Sequence, residues 1–218
     1  MTQVKRQELE RRISLDQASL IIDIFLSDET LYPYDDFLSR RGICKVLAEE
    51  YMPLVQLAKA LPDVEGLQLF PASNEGPDAE VMFHNKSSWT AQITCAHESY
   101  QMALFREQLL RDGAAMSGIR QRDKSGRIVS GRSVFVADKE IEIRINRILS
   151  AIQAKEDNYH EGTSTLIVQE APASAGYLQR RNLHAQVEAL HQGQSNYDRI
   201  YVIYGMDVRQ IMVTNLNG

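Results

Sequence analysis

The chain has 218 residues, 44% hydrophobic and 24% charged, which supplies one sizeable core and argues against wholesale disorder. Its formal net charge of −5 argues against indiscriminate adhesion to nucleic acid, while leaving room for a local basic surface. No apolar run approaches the roughly 18 residues of a membrane span. The segment 1–12 mixes charges of both signs without the apolar stretch of a secretory signal, so a cytoplasmic protein with no membrane partner is expected.

Along the chain, Ser14-Leu-Asp-Gln17 has the form of a capping box, and the apolar run at 15–26 after it predicts a helix. A turn follows at 31–36. Residues 1–36 are read as an N-terminal helical extension and 37–218 as one α/β domain. A second helix is expected from Phe37 through Ile43, Leu47 and Tyr51, with Pro53 kinking it or opening a further short helix. Pro62-Asp63 and Glu65-Gly66 read as turns that close this section, before a strand at 67–70. Cys44 and Cys95 are far apart within apolar segments, which is the pattern of small buried thiols rather than of a disulfide or a zinc site.

Two alternating segments, 78–83 and 89–96, are joined by His84-Asn-Lys-Ser-Ser88 and predict a hairpin. Helix at 97–110, strands at 119–121 and 127–136, and a long helix at 138–155 follow. That helix carries Ile141, Ile145, Ile148 and Ile152 in one stripe. A buried strand at 165–168, a helix marked by Leu183, Val187 and Leu190, and strands at 200–204 and 211–213 complete the chain. This order makes a mixed sheet flanked by helices.

The hairpin carries the most chemistry. With a period of two, Asp78 and Glu80 share one face, opposite Val81 and Phe83. On the partner strand Gln92 and Thr94 share a face, opposite Ile93 and Cys95. If both apolar faces join the core, four polar groups gather on one side of the sheet; a half-exposed ribbon would show the same alternation.

Pro77-Asp78 at the start of one strand, Gln92-Ile93-Thr94 on the next, and Glu49 or Glu50 on the helix before them resemble the PD-(D/E)XK nuclease superfamily. In that family a Pro-Asp opens one strand, an acid-x-Lys triplet lies on the next, and a helix follows the triplet, as 97–110 does here. The later helix with Ile141 to Ile152, Lys155 and Tyr159, and then Leu166-Ile-Val168, resembles the way such chains continue. The resemblance spans roughly 37–213. It implies a restriction-endonuclease-like α/β fold and a metal-dependent nuclease acting on DNA.

Phosphodiester hydrolysis of this kind uses Mg²⁺ or Mn²⁺, which prefer hard oxygen ligands. The resemblance makes Asp78 the principal metal ligand, with Glu50 and Glu80 adding negative charge and a backbone carbonyl near Ile93 completing the shell. Gln92 offers a neutral amide oxygen where the family has a carboxylate. Thr94 stands where the family's lysine positions water and offsets transition-state charge. Lys86, at the hairpin turn, is a cation that would have to substitute from another position. Three readings stay open, the first two being a Mg- or Mn-dependent phosphodiesterase with a variant site built on Asp78, Gln92, Thr94 and Glu50, and a catalytically inactive module of the same fold that binds nucleic acid or protein. An unrelated α/β protein with a half-exposed ribbon is the third.

Arg120, Arg122, Lys124, Arg127 and Arg132 cluster within thirteen positions that contain one acid, Asp123. Such a basic hairpin suits contact with DNA phosphates, and a solvated loop is the plainer reading. Gly126-Arg-Ile-Val-Ser-Gly131-Arg132-Ser133 imitates a phosphate-binding loop but leads into a strand-like segment instead of a helix. His184 and His191 fall two turns apart on one helix, a spacing that favours a surface pair over a metal site.

Overall fold

In the computed structural model, residues 2–33, 36, 41–72, 76–96, 100–112, 119–131, 137–170, 177–191 and 193–215 are described. A short helix α1 (Arg6–Leu9) and a two-residue strand β1 (Ile13–Ser14) precede α2 (Leu15–Ser27). Ser14 caps α2, its hydroxyl accepting the Gln17 N–H at 3.3 Å, as the capping-box spacing predicts. Next, α3 (Gly42–Val46) passes through a π-helical turn at Leu47–Tyr51 into α4 (Met52–Ala60). Pro53 lies in the first turn of α4, where its ring is best tolerated.

Three strands then run as an antiparallel meander: β2 (Val64–Leu69), β3 (Ala79–Phe83) and β4 (Ser88–Ala96). Helix α5 (Tyr100–Asp112), the hairpin of β5 (Ile119–Arg122) and β6 (Ile128–Gly131), and α6 (Ala137–Glu156) lead to β7 (Thr165–Glu170). Helix α7 (Tyr177–Leu190) and the short β8 (Gln194–Ser195) lead to β9 (Arg199–Tyr204), β10 (Asp207–Ile211) and β11 (Thr214–Asn215).

Seven strands form one mixed sheet in the order β1-β2-β3-β4-β7-β9-β10, with β4, β7 and β9 parallel at its centre. Every residue of β7 is buried, as expected of a parallel strand covered on both faces. On one face α2 and α4 bring Ile22, Phe25, Leu54 and Leu57 against Leu67, Val81, Ile93 and Ile167. On the other, α6 and α7 bring Ile145, Ile148, Ile152, Leu183 and Val187 against Leu166, Val168, Ile200 and Val202. Leu9, Ile13 and Tyr32 join the first of these cores, so the N-terminal segment packs with the rest of the sheet. Among the described residues no helix is long and apolar enough to cross a membrane.

Two expected elements differ in extent. Glu65-Gly66 does not close the preceding section but lies inside β2, across a register irregularity between Val64 and Gly66. Glycine reads as a breaker, yet here it serves a close approach: a Cβ at Gly66 would meet the Ile13 carbonyl oxygen at 2.7 Å. The last strand of the main sheet is β10 at Asp207–Ile211, not 211–213, because Gly205 with φ 66° turns the chain straight back after β9. The Gly126–Ser133 imitation of a phosphate-binding loop is occupied by β6 at Ile128–Gly131, and its last two residues lie outside the described ones.

Because β1 crowds Gly66 through backbone, a side chain there has nowhere to go. Gly66→Ala is expected to lower the unfolding free energy by about 1–3 kcal/mol, an overpacking cost, read as a lower urea midpoint at unchanged slope.

Candidate functional site

The site forms where β3 begins. Ala79 pairs with Ala91, and just before it the Asp78 N–H donates to the Ala91 carbonyl at 2.8 Å. The Asp78 carbonyl accepts the Phe70 N–H at 2.8 Å, and Asp78 Oδ2 accepts the Ile93 N–H at 2.7 Å. The carboxylate therefore caps the edge of β4 at the point where β3 stops pairing with it.

A cation reaches the same oxygen from the other layer. Lys155 Nζ, near the C-terminus of α6, lies 3.8 Å from Asp78 Oδ2, with side chains 27% and 34% exposed respectively. A half-exposed pair of this kind contributes well under about 1 kcal/mol to stability. Both contacts fall on Oδ2.

Gln92 is only 2% exposed, so it belongs to the interior and not to an open polar face. Its Oε1 accepts a hydrogen bond from the Tyr197 hydroxyl, which is also 3.2 Å from the Lys155 carbonyl. Alternation identified the face correctly; what it did not show is that α6 covers that face at Gln92. Tyr197 is fully buried, stacks edge-on against Tyr159 at 5.1 Å, and takes its backbone N–H to Ser195 Oγ. Ser195 in turn donates to Glu156, whose other oxygen accepts from Asn196 N and Nδ2. One phenol thus ties β4, the end of α6 and the turn before β9 together.

The remaining residues singled out from sequence are spread around this point. Thr94 follows Gln92 on the same face and lines a cleft against α6. Glu80 pairs with Thr90 and Gln68, two residues further along β3 from Asp78. Glu50, in the π-helical turn, is held by Arg6 at 3.1 Å, and Arg6 also reaches the Phe70 carbonyl at 3.4 Å. Burial works against the Arg6 charge, and Glu50 and Glu10 outweigh it, so the guanidinium is held above its ordinary value. Among the described residues no three His, Cys, Asp or Glu side chains come together as a metal cluster, so Asp78, Glu80 and Glu50 are not assembled as a preformed carboxylate cage. Lys86 sits at the far turn, 4.0 Å from Glu65 and largely exposed, and does not substitute for a lysine at position 94.

In the basic hairpin, Arg122 donates to the Gly126 carbonyl at 2.9 Å and also pairs with Glu107, while Lys124 and Arg127 are exposed. Only the backbone of Arg120 is described, paired with Ser130, and Arg132 lies outside the described residues. His184 is half-buried. Its ring packs edge-on against Tyr204 and its Nδ1 lies 3.4 Å from that hydroxyl. Trp89 packs on Phe83 at 4.6 Å and under the Arg199 guanidinium at 4.1 Å. Cys44 is buried, and Cys95 is half-buried, its thiol donating to Gln169 Oε1 at 3.3 Å; neither is in a disulfide.

Sequence reasoning passed over Lys155 as a site residue and missed Tyr197. Lys155 carries a usable signal, a lone cation at the end of an apolar-striped helix that must pack on the hairpin. Tyr197 carries none. No family model, curated protein or solved structure matches this chain.

Tyr197→Phe strands the buried Gln92 oxygen and is expected to cost about 1–3 kcal/mol, measured by urea unfolding. Burial raises the phenols of Tyr51, Tyr197 and Tyr204, and for Tyr197 the charges of Glu156 and Asp78 add to it. The folded state therefore holds protons that the unfolded chain releases near the ordinary tyrosine value of about 10. Stability is expected to be fully present below that value and to fall as pH rises through it, more shallowly in Tyr197→Phe. A melting series from pH 8 to 11 checks both statements.

Proposed function

We propose that this chain is a metal-dependent phosphodiesterase of the PD-(D/E)XK type, acting on DNA, in which the lysine of the strand triplet is replaced by a lysine on the following helix. The observation that carries the reading is the approach of Lys155 Nζ to Asp78 Oδ2 at 3.8 Å. Thr94 holds the family's lysine position without a charge, and α6 supplies an ammonium to the same carboxylate. The order of helix, three-stranded meander, helix and parallel strand supports the restriction-endonuclease-like form of the α/β fold.

The donor set fits a hard divalent ion only in its sparse form. Mg²⁺ commonly keeps several waters and takes one or two protein carboxylates together with substrate phosphate oxygens. Asp78 would be the protein ligand of that arrangement, and Glu80 on the same face of β3 would add negative charge nearby. When bound, the ion would polarise the phosphate and lower the pKa of an attacking water. Lys155 would hold its ammonium beside the scissile phosphate and offset the charge that builds as the water oxygen bonds phosphorus and the P–O bond of the leaving strand breaks. Gln92, occupied by Tyr197 and buried, takes no part as a ligand and instead fixes the strand on which Asp78 leans. Lys124 and Arg127, exposed at the tip of the basic hairpin, would meet the phosphate backbone.

One observation favours the rival reading, a non-catalytic module of the same architecture: Glu50, the acid that would strengthen the metal site, is neutralised by Arg6. Cleavage decides between them. Purified protein is incubated with labelled single-stranded and duplex DNA in Mg²⁺ or Mn²⁺. Asp78→Ala and Lys155→Met are each expected to lower the cleavage rate by about 100-fold or more. Their melting temperatures should stay within a few degrees of the parent, because the half-exposed pair adds little stability. No cleavage in either metal overturns the enzyme reading. If DNA then still binds in a salt-sensitive way that Lys124→Glu and Arg127→Glu weaken, the binding module stands in its place.

A further inference from the structure

Residues 100–131 carry a charge opposite in sign to that of the whole chain. Six lysines and arginines stand there against three acids, in a protein whose net charge is −5. All three acids are engaged. Glu107 on α5 pairs with Arg122, Asp112 pairs with Arg111 at 2.7 Å, and Asp123 is taken up by the turn between β5 and β6. Lys124 and Arg127, both exposed, stand in no ion pair among the described residues, so their charge faces outward uncompensated.

The same stretch is built as a separate piece. Strands β5 and β6 pair with each other, from Ile119 with Gly131 to Arg122 with Ile128, and form a two-stranded sheet apart from the seven-stranded one. Strand β5 packs on α5, and the buried Leu104 of α5 and Ile128 of β6 join neither core of the main sheet. The tip of the ribbon is fastened from within. The Asp123 carboxylate accepts the Ser125 N–H at 2.8 Å, the Ser125 hydroxyl at 2.6 Å and the Arg127 N–H at 3.0 Å. Arg122 donates to the Gly126 carbonyl at 2.9 Å, and Gly126, with φ 80°, supplies the left-handed residue that such a turn needs.

We infer that this ribbon enters the major groove of duplex DNA and sets Lys124 and Arg127 on the phosphates of its walls, so that the substrate is B-form duplex and neither single strands nor RNA. The inference rests on the reading of DNA as the partner, and not on the chemistry at Asp78. The major groove of B-form DNA, about 12 Å wide, admits a two-stranded ribbon, whereas that of an RNA duplex is deep and narrow. Single strands are held by stacking on aromatic rings, and 119–131 contains none. A turn already fastened loses little conformational freedom on docking. Two phosphate contacts on a duplex give a log–log salt slope of about −1.8.

Binding is read by fluorescence anisotropy in Ca²⁺, apart from cleavage. The probes are a labelled DNA duplex of two helical turns, roughly 20 base pairs, its single strand, and the RNA duplex of the same sequence. The DNA duplex is expected to bind about fivefold tighter than either of the others, or more. Lys124→Gln and Arg127→Gln should each weaken that binding about fivefold and flatten the salt slope by about 1. Lys59→Gln, which removes an exposed cation from the last turn of α4, is the control and should change neither. Gly126→Val alters no charge but strains the left-handed turn, and should weaken duplex binding about threefold or more. None of these changes touches the main sheet, so melting temperatures should match the parent's. Methyl green, a major-groove ligand, should compete with the protein, and netropsin, a minor-groove ligand, should not. Equal binding of single strand or RNA, losses as large in the control as in the ribbon variants, full binding by Gly126→Val, competition by netropsin alone, or no binding by the parent overturns the inference. Duplex binding of the expected kind, with no cleavage in Mg²⁺ or Mn²⁺, leaves the ribbon standing and removes the enzyme reading. Cleavage that Asp78→Ala abolishes, without preference for the duplex, does the reverse.

Discussion

Three adjacent parallel strands set the terms for everything else in this molecule. Parallel neighbours cannot be joined by a tight turn, so each passage from β4 to β7 and from β7 to β9 crosses a face of the sheet and carries a helix with it. Both crossings place their long helices, α6 and α7, on the same side, and the opposite side is then covered by α2 and α4 from the N-terminal part of the chain. With both faces sealed, the strand ends and the margins of the covering helices are the places where polar side chains can meet. The junction of Asp78, Gln92, Lys155 and Tyr197 is such a margin.

Within that frame the Tyr197 hydroxyl performs a task that no apolar contact does. Burial of leucine and isoleucine against a sheet is non-directional and tolerates sliding of a helix along its axis. A hydrogen bond from one phenol to Gln92, with the Lys155 carbonyl also in reach, does not. Glu156, gripping Ser195 and Asn196, fixes the same helix end from a second direction. The end of α6 is thereby held against β4 by polar contacts, while its middle is held by Ile145, Ile148 and Ile152.

Much of this was legible in the residues, and the limits of legibility have physical causes. Alternation in 78–83 and 89–96 located the hairpin because a sheet with one face on a core must alternate, and Ser14 marked a helix start because its hydroxyl satisfies an end N–H. Alternation says which side chains share a face and nothing about what covers it, so Gln92 read as an accessible ligand although a helix buries it. Gly66 read as a breaker because its reason for being glycine is a backbone more than fifty residues away, at Ile13. The Gln92–Tyr197 bond joins residues 105 apart in the chain, and no local pattern announces a contact of that range. Glu50 and Arg6 differ from these only in degree: each charge is visible, and their choice of one another is not.

The route by which the Lys155 ammonium arrives at Asp78 has a mechanical meaning. A lysine carried on β4 itself would be held relative to Asp78 by strand register, which shifts only in whole-residue steps. A lysine carried on α6 is held by the docking of one layer on another, which varies continuously. The gap between carboxylate and ammonium therefore works as a vernier on the seating of the helix. Any small tilt or axial shift of α6 that strand register would not record changes this separation together with the Tyr197 contact to the Lys155 carbonyl.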